Sequence, residues 1–172
     1  MILGWAHALL IAVAVQRLAE LAYARRNTRA LLAGGGVETG AGHYPLFVIL
    51  HGSWLVAMFV LVEPDPEPRW LLLAAFATLQ GLRVWVIATL GPYWTTRIIV
   101  VPGAAPVTTG PYRWFRHPNY LIVALEVPLL PLALGLPWVA VMFGALNASL
   151  LLYRIRIEDG ARHALSATGK AC

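Results

Sequence analysis

The chain has 172 residues, of which 59% are hydrophobic and only 12% charged, and it carries a formal net charge of +5. A soluble domain of this length carries roughly 25% charged residues, so the deficit predicts lipid as the main solvent. The basic balance, with a pI near 9.9, is not organised as a basic stripe with interleaved aromatics, which excludes nucleic acid as a partner.

The first apolar run extends from Met1 to about Tyr23, broken late by Gln16, Arg17 and Glu20. No basic region precedes its apolar core, so a retained span is expected rather than a cleaved signal peptide. Arg25, Arg26 and Arg29 follow. Next comes "AGGGVETGAG" (residues 33–42), a glycine-rich connector that matches neither a phosphate loop nor a dinucleotide-binding turn and is expected to be flexible. The second run covers Tyr44–Val62 and the third Trp70–Leu90, each near the ~20 residues that cross a bilayer as helix. Between them "EPDPEPR" holds three acids and one arginine. The fourth and fifth runs, Asn119–Leu134 and Pro137–Tyr153, are shorter and are joined by Gly135-Leu136. Pro128 and Pro131 lie in the fourth, which predicts a kinked hairpin supported by neighbouring helices.

Arginine marks alternate connections. Arg25, Arg26 and Arg29 sit on the first, Arg97, Arg113 and Arg116 on the third, and Arg154, Arg156 and Arg162, with Lys170, on the tail. Positive connections face the cytoplasm, and five spans with the N-terminus outside satisfy this alternation. The expectation is therefore an all-α integral membrane protein, one domain over residues 1–172. It has about five transmembrane helices, a long cytoplasmic loop and a helical hairpin near the C-terminus. The lone cysteine, Cys172, predicts no internal disulfide.

The chemistry is expected in the third connection. "GPYWTTRIIVVPGAAPVTTGPYRWFRHPNY" (residues 91–120) contains Pro92, Pro102, Pro106, Pro111 and Pro118. That is too broken for a helix and too constrained for a tether. Pro118 suits the first turn of a helix. The free N–H groups of that turn, with Arg113, Arg116 and His117, can hold an anion. Tyr112, Trp114, Phe115 and Tyr120 offer walls for a flat ring or a cation. The same residues also suit an interfacial anchor. In the tail, Arg154 and Glu158 are four apart and share one helix face. They form either an exposed ion pair or a pair turned toward the third connection, which requires the last two spans to pack side by side. Arg83 and Glu126 are expected to pair across the third and fourth spans, because a charge at mid-membrane needs a partner. His43 and His51, eight apart on roughly one face, lack companion ligands, so no metal is predicted.

"GPYRWFRHPNY", followed after a hairpin by "RIRIED", resembles the isoprenylcysteine carboxyl methyltransferase family, integral membrane enzymes that use S-adenosyl-L-methionine. "QRLAELAYARRN", "GHYPLFVILH" and "YWTTRIIVVPG" resemble a bacterial branch of that family. That branch is associated with O-methylation of phenolic or pyrone lipids made by type III polyketide synthases. The resemblance implies cofactor contacts at Ala104, Ala105, Pro106, Val107, Tyr112, His117, Pro118, Asn119, Tyr120 and Glu158, with Arg154 toward the substrate. Ile122 stands where the family motif has glycine, and Asp159 where it has a second glutamate. The implied activity is methylation of the hydroxyl of a lipid-tailed phenol or pyrone in the bacterial cell membrane, from a site facing the cytoplasm. Carboxyl methylation of a prenylated cysteine or other lipid-linked carboxylate is the alternative, and a non-enzymatic scaffold or transporter a third reading. A phenol, with a pKa of about 10, gains from a general base, whereas a carboxylate of about 4 needs only a cation. His51, or His43, serves the first case and Arg154 the second.

Overall fold

The computed structural model describes the backbone of residues 3–167 and side chains through residue 160. Lys170 and Cys172 lie outside the described residues, as does the side chain of Arg162. The helices are α1 (Trp5–Ala33), α2 (Tyr44–Leu61), α3 (Trp70–Leu90), α4 (Pro118–Ala133) and α5 (Pro137–Ala167). Two short strands, β1 (Val37–Thr39) and β2 (Ile98–Val100), join the first and third connections. Among the described residues, four helices are long and apolar enough to cross a membrane, and α4 is a shorter apolar fifth. At 1.5 Å per residue its 16 residues reach roughly 24 Å, less than the ~30 Å hydrocarbon core. About five transmembrane helices were expected, the fourth and fifth of them short; five apolar helices are found among the described residues, with α4 short and α5 long. Pro118 opens α4, and the chain turns at Gly135 (φ 79°) between α4 and α5.

α1 runs ten residues past the Tyr23 boundary expected for it, to Ala33. "ARRNTRALLA" contains no glycine or proline, so helix continues beyond the apolar stretch until Gly34. Gly36 N–H then donates to Leu31 O at 2.8 Å. A β-carbon on Gly36 would lie 2.8 Å from that same carbonyl oxygen, so the turn requires glycine. α5 likewise continues past Tyr153.

The glycine-rich connector is ordered where flexibility was expected. Val37–Thr39 pairs antiparallel with Ile98–Val100, with Glu38 opposite Ile99. Arg97 reaches Glu38 at 2.9 Å. The β-branched run "IIV" favours strand, and the partner strand closes its hydrogen bonds.

α4 packs most extensively against α5 and α3, and it remains helical through Pro128 and Pro131. Each proline removes an N–H and leaves the carbonyl four residues earlier without its helical donor. For Pro131 that carbonyl belongs to Val127, and the Trp54 indole N–H from α2 donates to it at 3.0 Å. Asn147 Nδ2, fully buried on α5, adds a contact to Val123 O at 3.4 Å. The larger apolar core gathers Leu10, Phe47, Trp54, Met58, Val127 and Leu130. A smaller one, at the end of the bundle holding β1 and β2, gathers Ala24, Val86, Trp94 and Ile122, with Tyr112 packed against it.

Candidate active site

The start of α4 is built by two prolines and a histidine. Pro111 lies in a 3-10 turn (Gly110–Arg113), and its carbonyl accepts from the N–H groups of Trp114 and Phe115. His117 precedes the helix, and its carbonyl accepts from Tyr120 and Leu121. Pro118 occupies the first helical position, where a missing N–H costs nothing. The His117 and Tyr120 rings stack at 5.2 Å with 12° between their planes.

Tyr120 then bridges α4 to α5. Its hydroxyl donates to Glu158 Oε2 at 2.6 Å and accepts from Arg154 Nε at 2.8 Å. Arg154 Nη2 donates to the Thr96 carbonyl at 2.8 Å. Arg154 and Glu158, one helical turn apart, thus both turn toward the α3–α4 connection and do not simply face solvent. The requirement that α4 and α5 pack side by side is met. His117 lies 3.9 Å from Glu158 and 3.7 Å from Asp159.

On the other side of Arg154 lies α2. The guanidinium sits 5.3 Å from the Phe47 ring centroid and 5.5 Å from that of Tyr120. Phe47 stacks in turn on His51, with centroids 6.4 Å apart. His51 Nδ1 lies 2.9 Å from the Phe47 carbonyl. A carbonyl only accepts, so Nδ1 carries the proton and the neutral ring keeps its lone pair on Nε2. His43 lies in the 3-10 turn (Ala41–His43) before α2, is buried, and meets Phe47 and Tyr153 edge-on. The two histidines therefore flank Phe47.

β1, β2 and that 3-10 turn cover this end of α5. Gly40 (φ 67°) is pressed so close that a β-carbon would lie 2.7 Å from the His43 ring and 2.9 Å from Ile157. Arg97 lies over the Tyr44 ring at 4.8 Å.

Deeper in the bundle a charge cluster forms. Glu126 Oε2 accepts from Arg17 at 2.9 Å and Arg83 at 3.0 Å, and its Oε1 accepts from Gln80 at 2.7 Å. Glu20 accepts from Arg83 at 2.8 Å and Arg17 at 2.9 Å. Gln16 donates to Glu20 and Gln80. The Arg83–Glu126 pair was expected; the enlargement to two arginines, two glutamates and two amides was not. Its signal is the spacing of Gln16, Arg17 and Glu20 on α1 against Gln80 and Arg83 on α3. Gln16, Glu20 and Gln80 also line a groove of about 510 Å³ between α1 and α3, walled by Ala19, Tyr23, Val84 and Ile87.

Other expected residues are placed differently. Ala104, Ala105, Pro106 and Val107 form an extended loop after a turn closed by Ala104 N–H to Val101 O at 3.2 Å, and Ala105 and Pro106 are exposed. Trp114 and Phe115, expected as walls of a pocket, are exposed, as are Arg113 and Arg116. The turn directs Tyr112 into the smaller core and leaves the next four side chains outside it. Thr96, which holds Arg154 through its backbone carbonyl, carried no signal in its side-chain chemistry.

The family model described as "Isoprenylcysteine carboxyl methyltransferase (ICMT) family" matches residues 70–163, which contain α3, the connection, α4 and the Arg154–Glu158 turn. The uncharacterized protein YpbQ of Bacillus subtilis (strain 168) is 42% identical over 158 residues, covering 89% of this chain and 94% of that protein. The chain belongs to the isoprenylcysteine carboxyl methyltransferase family. It is therefore a membrane methyltransferase, and the Tyr120 bridge lies within the stretch that this family model matches. No solved structure gives a significant match.

Proposed function

We propose that this methyltransferase uses S-adenosyl-L-methionine to methylate the hydroxyl of a lipid-tailed phenol or pyrone. The observation that carries the reading is the occupancy of Arg154. Its Nε and Nη2, the side-on fork suited to a carboxylate, are taken by Tyr120 and the Thr96 carbonyl. One ring away stands His51, with the Nε2 lone pair of its neutral form available to accept a proton. An acceptor that must lose a proton suits this arrangement better than one that arrives ionised.

Asn119 Oδ1 is buried with no hydrogen-bond partner among the described residues, so the first turn of α4 holds an acceptor that a donor-bearing ligand would satisfy. His117, Pro118, Asn119, Tyr120 and Glu158 would hold S-adenosyl-L-methionine, with Tyr112 and the Ala104–Val107 loop completing the contacts. When bound, it supplies an electrophilic methyl group carried on a sulfonium. Glu158 supplies negative charge for a cationic ligand and is itself held by the Tyr120 hydroxyl. Arg154 Nη1, the nitrogen that the Tyr120 hydroxyl and the Thr96 carbonyl leave over, orients the acceptor's polar head. His51 Nε2 takes the hydroxyl proton.

We place this end of the bundle at the cytoplasmic face of the bacterial cell membrane. The exposed Arg25, Arg26, Arg29, Arg113 and Arg116 lie here, and Glu63, Asp65 and Glu67 lie on the α2–α3 connection. The single domain receives its water-borne cofactor from that side and its lipid-tailed acceptor from the bilayer. A type III polyketide synthase is the class of enzyme that would supply such an acceptor.

The test incubates membranes containing the protein with methyl-labelled S-adenosyl-L-methionine and long-chain acceptors of both kinds, then treats the lipid fraction with mild base. Label that stays on the lipid is an ether and is the expected result. Label released as methanol is an ester, and would establish carboxyl methylation, the reaction in the family's description, in its place.

A further inference from the structure

Among the described residues the two buried arginines, Arg83 and Arg154, are both engaged, and so are Arg17, Arg69 and Arg97 nearer the surface. Arg17, Arg69, Arg83, Arg97 and Arg154 each donate to a carboxylate, a carbonyl or the Tyr120 hydroxyl. Arg113 and Arg116, like Arg25, Arg26, Arg29 and Arg156, are exposed and meet no acid or carbonyl among the described residues, and they alone of these enclose exposed aromatic rings. Between them stand Trp114, 63% exposed, and Phe115, 52% exposed. Two free cations flanking two uncovered aromatic rings form a surface with no occupant inside the chain.

Trp114 shows which phase this surface meets. Its ring lies 6.0 Å from that of Trp85 at 63°. Trp85 projects from α3, five residues before the helix ends at Leu90, and is 43% exposed. At 1.5 Å per residue that is roughly 7–8 Å inside the end of a spanning helix, the depth of the headgroup boundary. An aromatic pair at that depth wets its rings with acyl chains, and the arginines beside it stand among phosphates. We infer that the turn over residues 113–116 is a clasp for the headgroup of an anionic phospholipid. The aromatic pair seats against the chains near the glycerol, and Arg113 and Arg116 hold the phosphate. The neighbours of the turn give the clasp a consequence. Tyr112 before it packs into the smaller core, and His117 after it stacks on Tyr120. A lipid held at the turn therefore braces the segment that opens α4.

The experiment needs no methyl acceptor and stands whatever the reaction proves to be. The full chain is reconstituted in phosphatidylcholine vesicles containing increasing phosphatidylglycerol brominated near the headgroup. The quenching due to Trp114 is taken as the difference between wild type and Trp114→Phe. The expected result is saturation at a low phosphatidylglycerol fraction, an enrichment over bulk on the order of tenfold. The double variant Arg113→Gln/Arg116→Gln should return quenching to the bulk composition, whereas Arg25→Gln/Arg26→Gln, the same charge change on the α1 extension, should leave it alone. Inorganic phosphate at millimolar concentration should not compete. Quenching that follows bulk composition in wild type overturns the clasp. So does equal loss in both double variants, which would reduce the effect to the general basic field. Displacement by inorganic phosphate would reassign the site to a free anion. No quenching of Trp114 at any fraction of the brominated lipid would place the turn in water, as a surface for an acidic soluble partner.

Discussion

The Trp54 indole N–H donates to the Val127 carbonyl at 3.0 Å, and this is the carbonyl that Pro131 has stripped of its own helical donor. A membrane helix with an internal proline holds together when a neighbour satisfies the freed group, and here α2 supplies the donor to α4. Trp54→Phe should lower unfolding stability in mild detergent by about 0.6–1.7 kcal/mol through this bond. In a Pro131→Ala background the native helical N–H is restored and the loss should shrink. The double-mutant cycle separates this bond from the change in ring volume. Strict additivity would show that the bond contributes nothing.

Much of the architecture was readable from composition, and the reasons are local. Trp70–Leu90 coincides with its apolar run because Arg69 and Gly91 bracket it, and Pro118 opens α4 because only the first turn tolerates it. The three-residue link Leu134-Gly135-Leu136 forces α4 and α5 together, which is enough to bring Tyr120 to Arg154 and Glu158. Contacts that depend on helix rotation were not readable. Nothing in α1 alone says that Arg17 and Glu20 face α3 and α4 and not lipid. The β1–β2 ladder joins three-residue segments about sixty positions apart, where glycines argued for mobility. Trp114 and Phe115 fit a pocket wall and a lipid-facing turn equally well until the Trp85 contact decides.

Glu126 is the shared acceptor of the buried cluster, 2% exposed and bonded to both Arg17 and Arg83. Glu126→Ala leaves two guanidinium groups against one remaining carboxylate and should destabilise by about 3–5 kcal/mol. Removing Arg83 with it, as Glu126→Leu/Arg83→Met, leaves Arg17 and Glu20 as a balanced pair and should recover a large part of that loss. Unfolding midpoints of the three proteins in one detergent provide the check. A double variant worse than Glu126→Ala would mean that the cluster contributes net stability of its own.

Tyr120→Phe keeps the ring that stacks on His117 and deletes only the hydroxyl between Arg154 and Glu158. Hydrogen bonds to charged groups are worth about 1.5–3 kcal/mol, so if the bridge holds the site in its reactive geometry turnover should fall roughly 10–100-fold. Equilibrium binding of S-adenosyl-L-methionine localises the loss. Glu158→Gln should weaken binding more than Tyr120→Phe does, because it removes the charge as well as an acceptor of the bridge. Unchanged binding in both variants would move the cofactor away from this turn.

His51 separates the two acceptor classes. Its Nδ1 proton is committed to the Phe47 carbonyl, so loss of the side chain removes the Nε2 base. With a phenolic acceptor, His51→Ala should slow methyl transfer by about 10²–10⁴-fold near neutral pH. The deficit should shrink as pH rises toward the phenol's own pKa of about 10, because the acceptor then ionises without help. The sign follows from the acceptor: the base matters most where the hydroxyl is protonated, below that pKa, and least above it. A carboxylate acceptor is ionised throughout this range and should show a deficit that does not vary with pH. Rates of wild type and variant from pH 6 to 10 on a long-chain phenol therefore test the base directly, and parallel profiles would remove His51 from the chemistry.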